Sequence, residues 1–560
     1  MCPENNQEAA ERVIPDEKYG KRRVVMKRIG IGAAIVLCLV SLALYLYCRT
    51  APLYSLVPQD CAAMLVADTP WWWKSSEGIR ANPAASSALG RMDKELGFSI
   101  KDDVMPWVGQ ISLVTFNPDE DEPRAALFAE IKNVYRFVRT TGRLRKSIER
   151  DRSLGWSNVT YRGVAIRRAY IPNPPSEPLR ISFAIVKGWM VVGVGNGTVE
   201  QIIDTSQGSK KSLSQNEDIV RSLSGLSDNQ HAAWMINTPQ TGNVLDQFSV
   251  ASHPLAKALR ATDSVSIGAL SGDVNDLQLK AVSTATSEKT RSRWTAFKRD
   301  IKPINGKILT QLPDGTSVLL LLSNPGKWFG QLEKLLFGKS NSDTVKTLPS
   351  PENGLLQGVS GFLNRFSGEC AIAAAWKETT GFGIVAVGDA GDKNSALDAA
   401  KILKSMATSG GASMVEAGDL FEVAPEVRFN ADVLCLPCWT ARSNWLLIGS
   451  HPNWIKCSKT SVRLPKEAMN ADAAFLVDLG FVPSFLQSRL QQSPYGTQGR
   501  VLDTVRKMNL NNACMTGWVK IDSEGRNQES VLELKGFDWT KIWNTVLMLE
   551  TDPTQSGRQE

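Results

Sequence analysis

Residues Ile29 to Cys48 read IGIGAAIVLCLVSLALYLYC, twenty positions without a charge. About 20 apolar residues, rising ~1.5 Å each in a helix, cross the ~30 Å hydrocarbon core of a bilayer. A helix buried in a globular core keeps a polar stripe, whereas this run is apolar on every side. Lys21, Arg22, Arg23, Lys27 and Arg28 precede it, and Arg49 alone follows before Lys74. The basic side stays cytoplasmic. The sequence therefore predicts a single-pass signal-anchor helix over 29–48, a cytoplasmic tail over 1–28, and the bulk of the chain outside the cytoplasmic membrane. A cleaved signal peptide fits less well, because the leader is long and Tyr45-Leu46-Tyr47-Cys48-Arg49 holds no small-x-small cleavage pattern. Leu46-Tyr47 before Cys48 also lacks the small residues of a lipidation site.

The chain has 560 residues, 42% of them hydrophobic. A single core stops growing near ~250 to 300 residues, so more than one unit is expected. The net charge of +7 is spread along the chain. Nucleic-acid binders concentrate their charge in a stripe, and none is present, so nucleic acid is not an expected partner. One stretch, Arg136 to Arg152 (RFVRTTGRLRKSIERDR), is basic at helical spacing. It reads first as a solvated helix face, with contact to anionic lipid or polymer as the sharper alternative.

Self-similarity organises the rest. Val57-Pro58-Gln59-Asp60 before AAMLVADTP resembles Leu312-Pro313-Asp314-Gly315 before TSVLLLLSNP, an offset of 255. Lys187 to Gly193 (KGWMVVG) matches Ser443 to Gly449 (SNWLLIG) at 256, and Leu277-Gln278-Leu279-Lys280 resembles Leu532-Glu533-Leu534-Lys535 at 255. Such periodicity points to one unit written twice. The expected division is a juxtamembrane linker (49–55), a first unit (56–297), a second unit (298–550) and a flexible tail (551–560).

Apolar strands that end in a turn residue and a proline recur at MLVADTPWW, AWMINTPQT and LLLSNPGKW. Thr69, Thr238 and Asn324 suit a helix cap, and Pro70, Pro239 and Pro325 suit the first helical position. ISLVTF, RAALFAEI, YRGVAIRRAYI, ISFAIV, CAIAAAW and FGIVAV read as further strands. Lys187-Gly188 and Arg442-Ser443-Asn444 read as hairpin turns between paired strands. The expected fold is α+β: an N-terminal transmembrane helix, then two tandem homologous units of antiparallel sheet with flanking helices.

Several segments of the first unit carry a resemblance: Val57-Pro58 with its strand, Lys101 to Gly109 (KDDVMPWVG), Tyr161 to Ile166 (YRGVAI), and the strand, turn and helix from Lys187 to Asp204. Together they resemble a bacterial family of membrane-anchored proteins, the domain of unknown function three-three-five-two, over residues 57–225. The resemblance implies an anchored extracytoplasmic protein and supplies no catalytic residues. The second unit departs from it, with Asn364-Arg365-Phe366-Ser367-Gly368 in place of Pro106-Trp107-Val108-Gly109.

Chemistry-bearing motifs are sparse. Gly193 to Thr198 (GVGNGT) has the look of a phosphate-cradling loop, but the matching Gly449-Ser450-His451-Pro452-Asn453-Trp454 keeps only the first glycine. A strand-to-helix connection capped by Thr198 is the expectation. Cys435, Cys438, His451 and Cys457 give C-x2-C-x12-H-x5-C, close to a zinc-ligand spacing, and Cys435 with Cys438 also form the spacing of a redox pair. A strand pattern surrounds them, which favours a structural disulfide or buried thiols. Histidine occurs only at 231, 253 and 451, and no H-E-x-x-H, G-x-S-x-G or Walker loop is present. Asp102-Asp103 and Asp119 to Glu122 read as solvated turn acids.

Trp71-Trp72-Trp73 cannot share one helix face, since consecutive residues lie about 100° apart. They read as packing at a helix start, with membrane or partner contact as the sharper alternative. The reading at this level is a binding or scaffold module with no evident catalytic set and no cofactor. Its partners are the lipid bilayer through 29–48 and an envelope protein or ligand. Two alternatives remain: a zinc- or thiol-dependent envelope enzyme centred on Cys435 and Cys438, and an envelope carrier of an apolar ligand such as lipid.

Overall fold

A computed structural model describes residues 52–116, 124–150, 155–170, 181–224, 226, 230–247, 263–330, 362–366, 368–377, 381–409, 412–423, 438–456, 462–490 and 498–550. The apolar run 29–48, both tails, the acidic loop 119–122, Cys435 and Cys457 lie outside the described residues. Among the described residues no helix is long and apolar enough to cross a membrane.

Short apolar runs bounded by turn residues become the strands of one twenty-stranded antiparallel sheet. In the first half these are β1 (Cys61–Asp68), β2 (Val108–Phe116), β3 (Ala125–Ile131), β4 (Gly155–Tyr161), β5 (Val164–Tyr170), β6 (Ile181–Val186), β7 (Trp189–Val194), β8 (Gln230–Asn237), β9 (Ser264–Asp273) and β10 (Asp276–Ala285). The second half adds β11 (Thr316–Ser323), β12 (Glu369–Lys377), β13 (Gly381–Asp389), β14 (Met414–Ala417), β15 (Leu420–Val423), β16 (Cys438–Arg442), β17 (Trp445–Gly449), β18 (Ala473–Asp478), β19 (Cys514–Ile521) and β20 (Asn527–Lys535).

Hydrogen bonding orders the first half 4-5-6-7-3-2-1-8-9-10. The second half repeats this order strand for strand, 14-15-16-17-13-12-11-18-19-20. The halves join edge to edge through β10 and β20. One rung of the sheet reads Leu65, Trp234, Gly268, Ala281, and its counterpart reads Leu320, Phe475, Gly517, Leu532. Counting from that rung, Lys280 and Val531 are counterparts, and they are also paired with each other across the seam. A local twofold axis therefore runs between them.

The helices are α1 (Thr69–Ser75), α2 (Glu77–Arg80), α3 (Pro83–Leu96), α4 (Val134–Arg150), α5 (Thr198–Ser206), α6 (Glu217–Ser224), α7 (Thr238–Gln247) and α8 (Glu288–Arg299), followed by α9 (Lys393–Ser409), α10 (Pro452–Lys456), α11 (Val482–Leu490), α12 (Gln498–Met508) and α13 (Trp539–Glu550). One face of the sheet carries the main core of each half: Met64, Val66, Phe128 and Val191 with α5 in the first, Leu319, Leu321, Val385 and Trp454 with α10 in the second. On the opposite face α4 packs through Phe137 and α9 through Ala396, Ala399 and Ala400.

Three local expectations need correction. The segment YRGVAIRRAYI is a hairpin rather than one strand, because Arg162 and Gly163 take φ of +47° and +81° and reverse the chain between β4 and β5. Lys187-Gly188 makes the same kind of turn between β6 and β7. Thr69 lies inside α1 behind Asp68, and the Thr238 hydroxyl donates to the Ser264 carbonyl at 2.9 Å, so neither side chain caps its helix. Thr198 follows a left-handed Gly197, and its hydroxyl donates back to the Val194 carbonyl at 2.8 Å.

The expected boundary at 297/298 falls within α8, which reaches across to the second half. Phe297 meets Trp328 edge-on at 5.1 Å, and the Thr295 hydroxyl donates to the Glu524 carbonyl at 2.9 Å. In return α13 reaches the first half, where the Asn82 amide donates to Asn544 at 3.3 Å and Gly78 makes room for Thr540.

Candidate functional site

The zinc-spaced set is not assembled by what is described of it. Cys438 is fully buried at the position that Ser182 fills in the first half, and its thiol donates to the Gly449 carbonyl at 3.3 Å. His451 is exposed, and its Nδ1 accepts from the Asn453 N–H at 3.2 Å. Among the described residues no three His, Cys, Asp or Glu side chains are gathered to hold a metal. Cys61, Cys370 and Cys514 are thiols, and burial pushes all three up, Cys370 to about 12. A thiol held that far above its ordinary value is a poor nucleophile at neutral pH.

The acidic pair of the KDDVMPWVG motif is structural. The Ser99 N–H donates to Asp103 at 3.0 Å, Ser99 Oγ accepts from the Asp102 N–H at 3.2 Å, and Asp103 pairs with Arg143 of α4. The tryptophan triplet lies in α1, with all three rings half-buried. Trp71 stacks on His231 at 3.9 Å and 16°, Trp72 meets Trp71 edge-on at 5.2 Å, and the Arg80 guanidinium covers Trp73 at 3.8 Å.

The Trp71–His231 stack borders a feature that the sequence did not disclose. Opposed residues in an antiparallel pair point to the same side. On the core face of the first half, Asp68 at the end of β1 pairs with Gln110 of β2. His231 of β8 follows the last β1–β8 pair, Ala67–Ala232, at a bulge, and Glu130 of β3 faces the Gly109-Gln110 bulge of β2, so the four form an irregular polar row. Its counterpart in the second half is Asp472, Ser323, Glu369 and Asp389. Both halves thus end an apolar face in a polar row. In both, the third-strand acid lies against a glycine that opens the second strand: a Cβ on Gly109 would stand 2.1 Å from Glu130, and one on Gly368 2.5 Å from Asp389.

The second-half row is filled by the chain itself. Glu369 accepts from the backbone N–H groups of Asn305, Gly306 and Ile308, the latter two at 3.3 and 3.4 Å. Asp472, with no exposed side-chain surface, pairs with Lys298 and accepts from the Ile521 N–H at 2.8 Å. Asp389 accepts from the Asn444 amide at 2.7 Å and the Gly391 N–H at 2.8 Å. The linker between the halves, 298–308, is thereby bound by carboxylates.

The first-half row is electrostatically different. Glu130 accepts from the Gln110 N–H at 3.0 Å. Burial raises the Asp68 carboxyl, against the pull of Lys132 and the Trp71 N–H, with Glu130 adding to the rise. Burial lowers His231, although its ring N–H donates to the Gly272 carbonyl. Among the described residues, Asp68 Oδ1, Thr69 Oγ1, Ser112 Oγ and Gln230 Oε1 are buried without a hydrogen-bond partner, and Thr69, Ser112 and Gln230 are at most 3% exposed. Buried polar atoms are nearly always paired, so a group of this kind at one end of a sheet marks a place where a partner belongs.

A cleft of about 280 Å³ also lies at the seam, lined by Lys280, Thr284, Arg291, Asn527 and Glu529 among others. Charged and polar residues line most of it, and Lys280 is already paired with Glu529 at 2.8 Å.

Comparison with known proteins turns on one match. A family model described as a protein of unknown function, DUF3352, matches residues 32–421. The chain belongs to the DUF3352 family. The match runs well past the residues 57–225 in which the resemblance is visible by eye and enters the second half as far as β15. No curated protein matches the chain. Among solved structures, crystal form III of TP0453 aligns at 9% identity over 45% of this chain and 87% of that one, with a TM-score of 0.25, a likeness too slight to carry fold or function.

In this DUF3352 chain the polar row escaped sequence reading because its members lie on four strands, each looking like an ordinary strand end. The paired glycines Gly109 and Gly368, each followed on the next strand by an acid, were the available signal.

Proposed function

We propose that this chain is a membrane-anchored extracytoplasmic binding or scaffold protein, tethered through 29–48, built of two tandem copies of one α+β unit and acting without a catalytic centre. The apolar run and its basic flank support the anchoring, and the repeated strand order supports the duplication.

The observation that carries the binding role is the contrast between the two polar rows. In the second half the row binds the chain itself, through three backbone N–H donors at the left-handed Gly306 and the short 3-10 turn that follows it, and through a lysine of α8. In the first half the row holds Asp68, whose Oδ1 has no hydrogen-bond partner among the described residues, with the unpaired side-chain oxygens of Thr69, Ser112 and Gln230 at the same strand ends and an aromatic stack beside it. The partner this fits is a polypeptide segment that offers N–H donors and a cation to Asp68.

Site-specific photocrosslinking in cells tests both parts. A photoreactive residue at Trp73 should give a discrete adduct that Asp68→Ala abolishes, while one at the counterpart Trp328 gives none. Carbonate washing should leave the chain in the membrane. Adducts indifferent to Asp68→Ala would remove the binding role, and release by carbonate would remove the anchor.

A further inference from the structure

Helix α4 presents apolar and basic side chains together to solvent. Val134, Tyr135 and Val138 are 66%, 78% and 60% exposed, more than any other exposed large hydrophobic among the described residues. Arg136 and Arg139 are exposed beside them, Arg143 lies a turn further on, and the sequence continues with Arg145, Lys146 and Arg150. Single exposed apolar residues are ordinary, but three within five positions on one helix form a patch.

The helix cannot roll to bury that patch, because its other side is fixed. Phe137 is buried edge-on against Trp107 at 4.9 Å. The Thr140 hydroxyl donates to the Asp103 carbonyl at 2.6 Å, and Arg143 pairs with the Asp103 side chain. The KDDVMPWVG motif is thus the seat that turns Val134, Tyr135 and Val138 outward.

The counterpart helix α9 serves as a control within the same molecule. Phe137 and Thr140 correspond there to the buried Ala396 and Ala399. The outward positions, however, are Lys393, Asn394 and Leu397, with Ser395 and Asp398 where α4 has Arg136 and Arg139. The apolar and cationic face is therefore no requirement of the fold, and it occurs in the half that directly follows the apolar run 29–48.

We propose that α4 docks on an anionic bilayer surface, with Val134, Tyr135 and Val138 entering the headgroup boundary and Arg136 and Arg139 meeting lipid phosphates. Helices that lie in a membrane interface combine such an apolar face with flanking cations, whose long stems let the charge stay in the headgroup layer. A protein groove would suit the apolar residues equally well, but the cluster of positive charge favours lipid. The inference rests on the anchored reading for the nearness of the bilayer.

The test is hydroxyl-radical footprinting of the full chain in lipid discs of phosphatidylcholine alone or mixed with phosphatidylglycerol. Tyr135 should be oxidised several-fold more slowly in the anionic discs, with the difference lost in high salt, while the exposed Met406 of α9 is unaffected. Replacing Arg136 and Arg139 with glutamate should restore Tyr135 oxidation, each arginine contributing about five-fold in surface affinity. Equal oxidation of Tyr135 in both discs overturns the proposal, as does protection already present in detergent, which would mean a protein occupant. If the chain fails to enter discs, the anchoring is wrong. Flotation of the same chain with free vesicles then decides the docking: charge-dependent flotation supports it, and none overturns it.

Discussion

At the scale of single residues, Asp68 separates a structural row from a binding row. Its carboxyl is raised above the ordinary 3.8 chiefly by burial, so the folded state holds a proton more readily than the unfolded chain. Stability then falls as pH rises from 3.8 through the raised folded value, and it stays reduced above it. Asp68→Asn removes that loss. Its urea midpoint should exceed the parent's at neutral pH and equal it below the ordinary carboxylate range, with Glu130 and Lys132 left in place. A variant less stable than the parent at neutral pH would mean that the carboxylate holds the fold together, as Asp472 does, and is not kept for a partner. Residue types alone did not show this difference. Asp68 was legible only as the polar end of an apolar strand, and its significance comes from Gln110, Glu130 and His231, which lie far away in sequence.

At the scale of elements, the hairpins at Lys187-Gly188 and Ser443-Asn444 were legible because their turns demand left-handed backbone, and Lys187, Gly188 and Ser443 do take positive φ. The hairpin inside YRGVAIRRAYI was missed although Arg162-Gly163 repeats the Lys187-Gly188 pattern, because the apolar residues on both sides read as one continuous strand. The role of α8 was not legible either, since nothing in its composition shows that it crosses to the other half. It does so through Lys298, whose side chain is 15% exposed and pairs with the fully buried Asp472. Removing one partner of such a pair strands the other charge, at a cost of about 3 to 5 kcal/mol. Lys298→Ala should therefore lower the unfolding free energy by about that amount and open the 298–308 linker to proteases. Lys298→Met with Asp472→Asn should recover most of the loss, because asparagine can still accept from the Ile521 N–H. If Lys298→Ala costs under about 1 kcal/mol, the pair behaves as a surface ion pair and does not hold the linker.

At the scale of the whole molecule, the duplication was legible from three anchors, but one of them misleads. Leu277 to Lys280 and Leu532 to Lys535 look alike at an offset of 255, yet the strand registers make Lys280 the counterpart of Val531. Connections cause the slip. Residues 195–229 between β7 and β8 correspond to the shorter 450–472, and 238–263 between β8 and β9 to the longer 479–513. Changes of loop length cost little entropy, so a constant offset survives only where connections do. The corrected register places the local twofold at Lys280 and Val531, and the two halves meet there as a symmetric dimer would, fused into one chain. Eight residue pairs, Leu277–Leu534 to Thr284–Asn527, carry the sheet across this seam, and α8 and α13 reach over it in opposite directions. Each half nevertheless has its own core. Lys280→Pro tests which of these facts governs unfolding. Lys280 is partly exposed, so the substitution spares both cores while it deletes a ladder N–H and distorts a central strand, costing on the order of 3 kcal/mol. If the seam couples the halves, the parent should melt in one calorimetric transition and the variant in two, because each half then unfolds with its own core. A parent that already melts in two steps would mean that the continuous sheet does not make the molecule one cooperative unit.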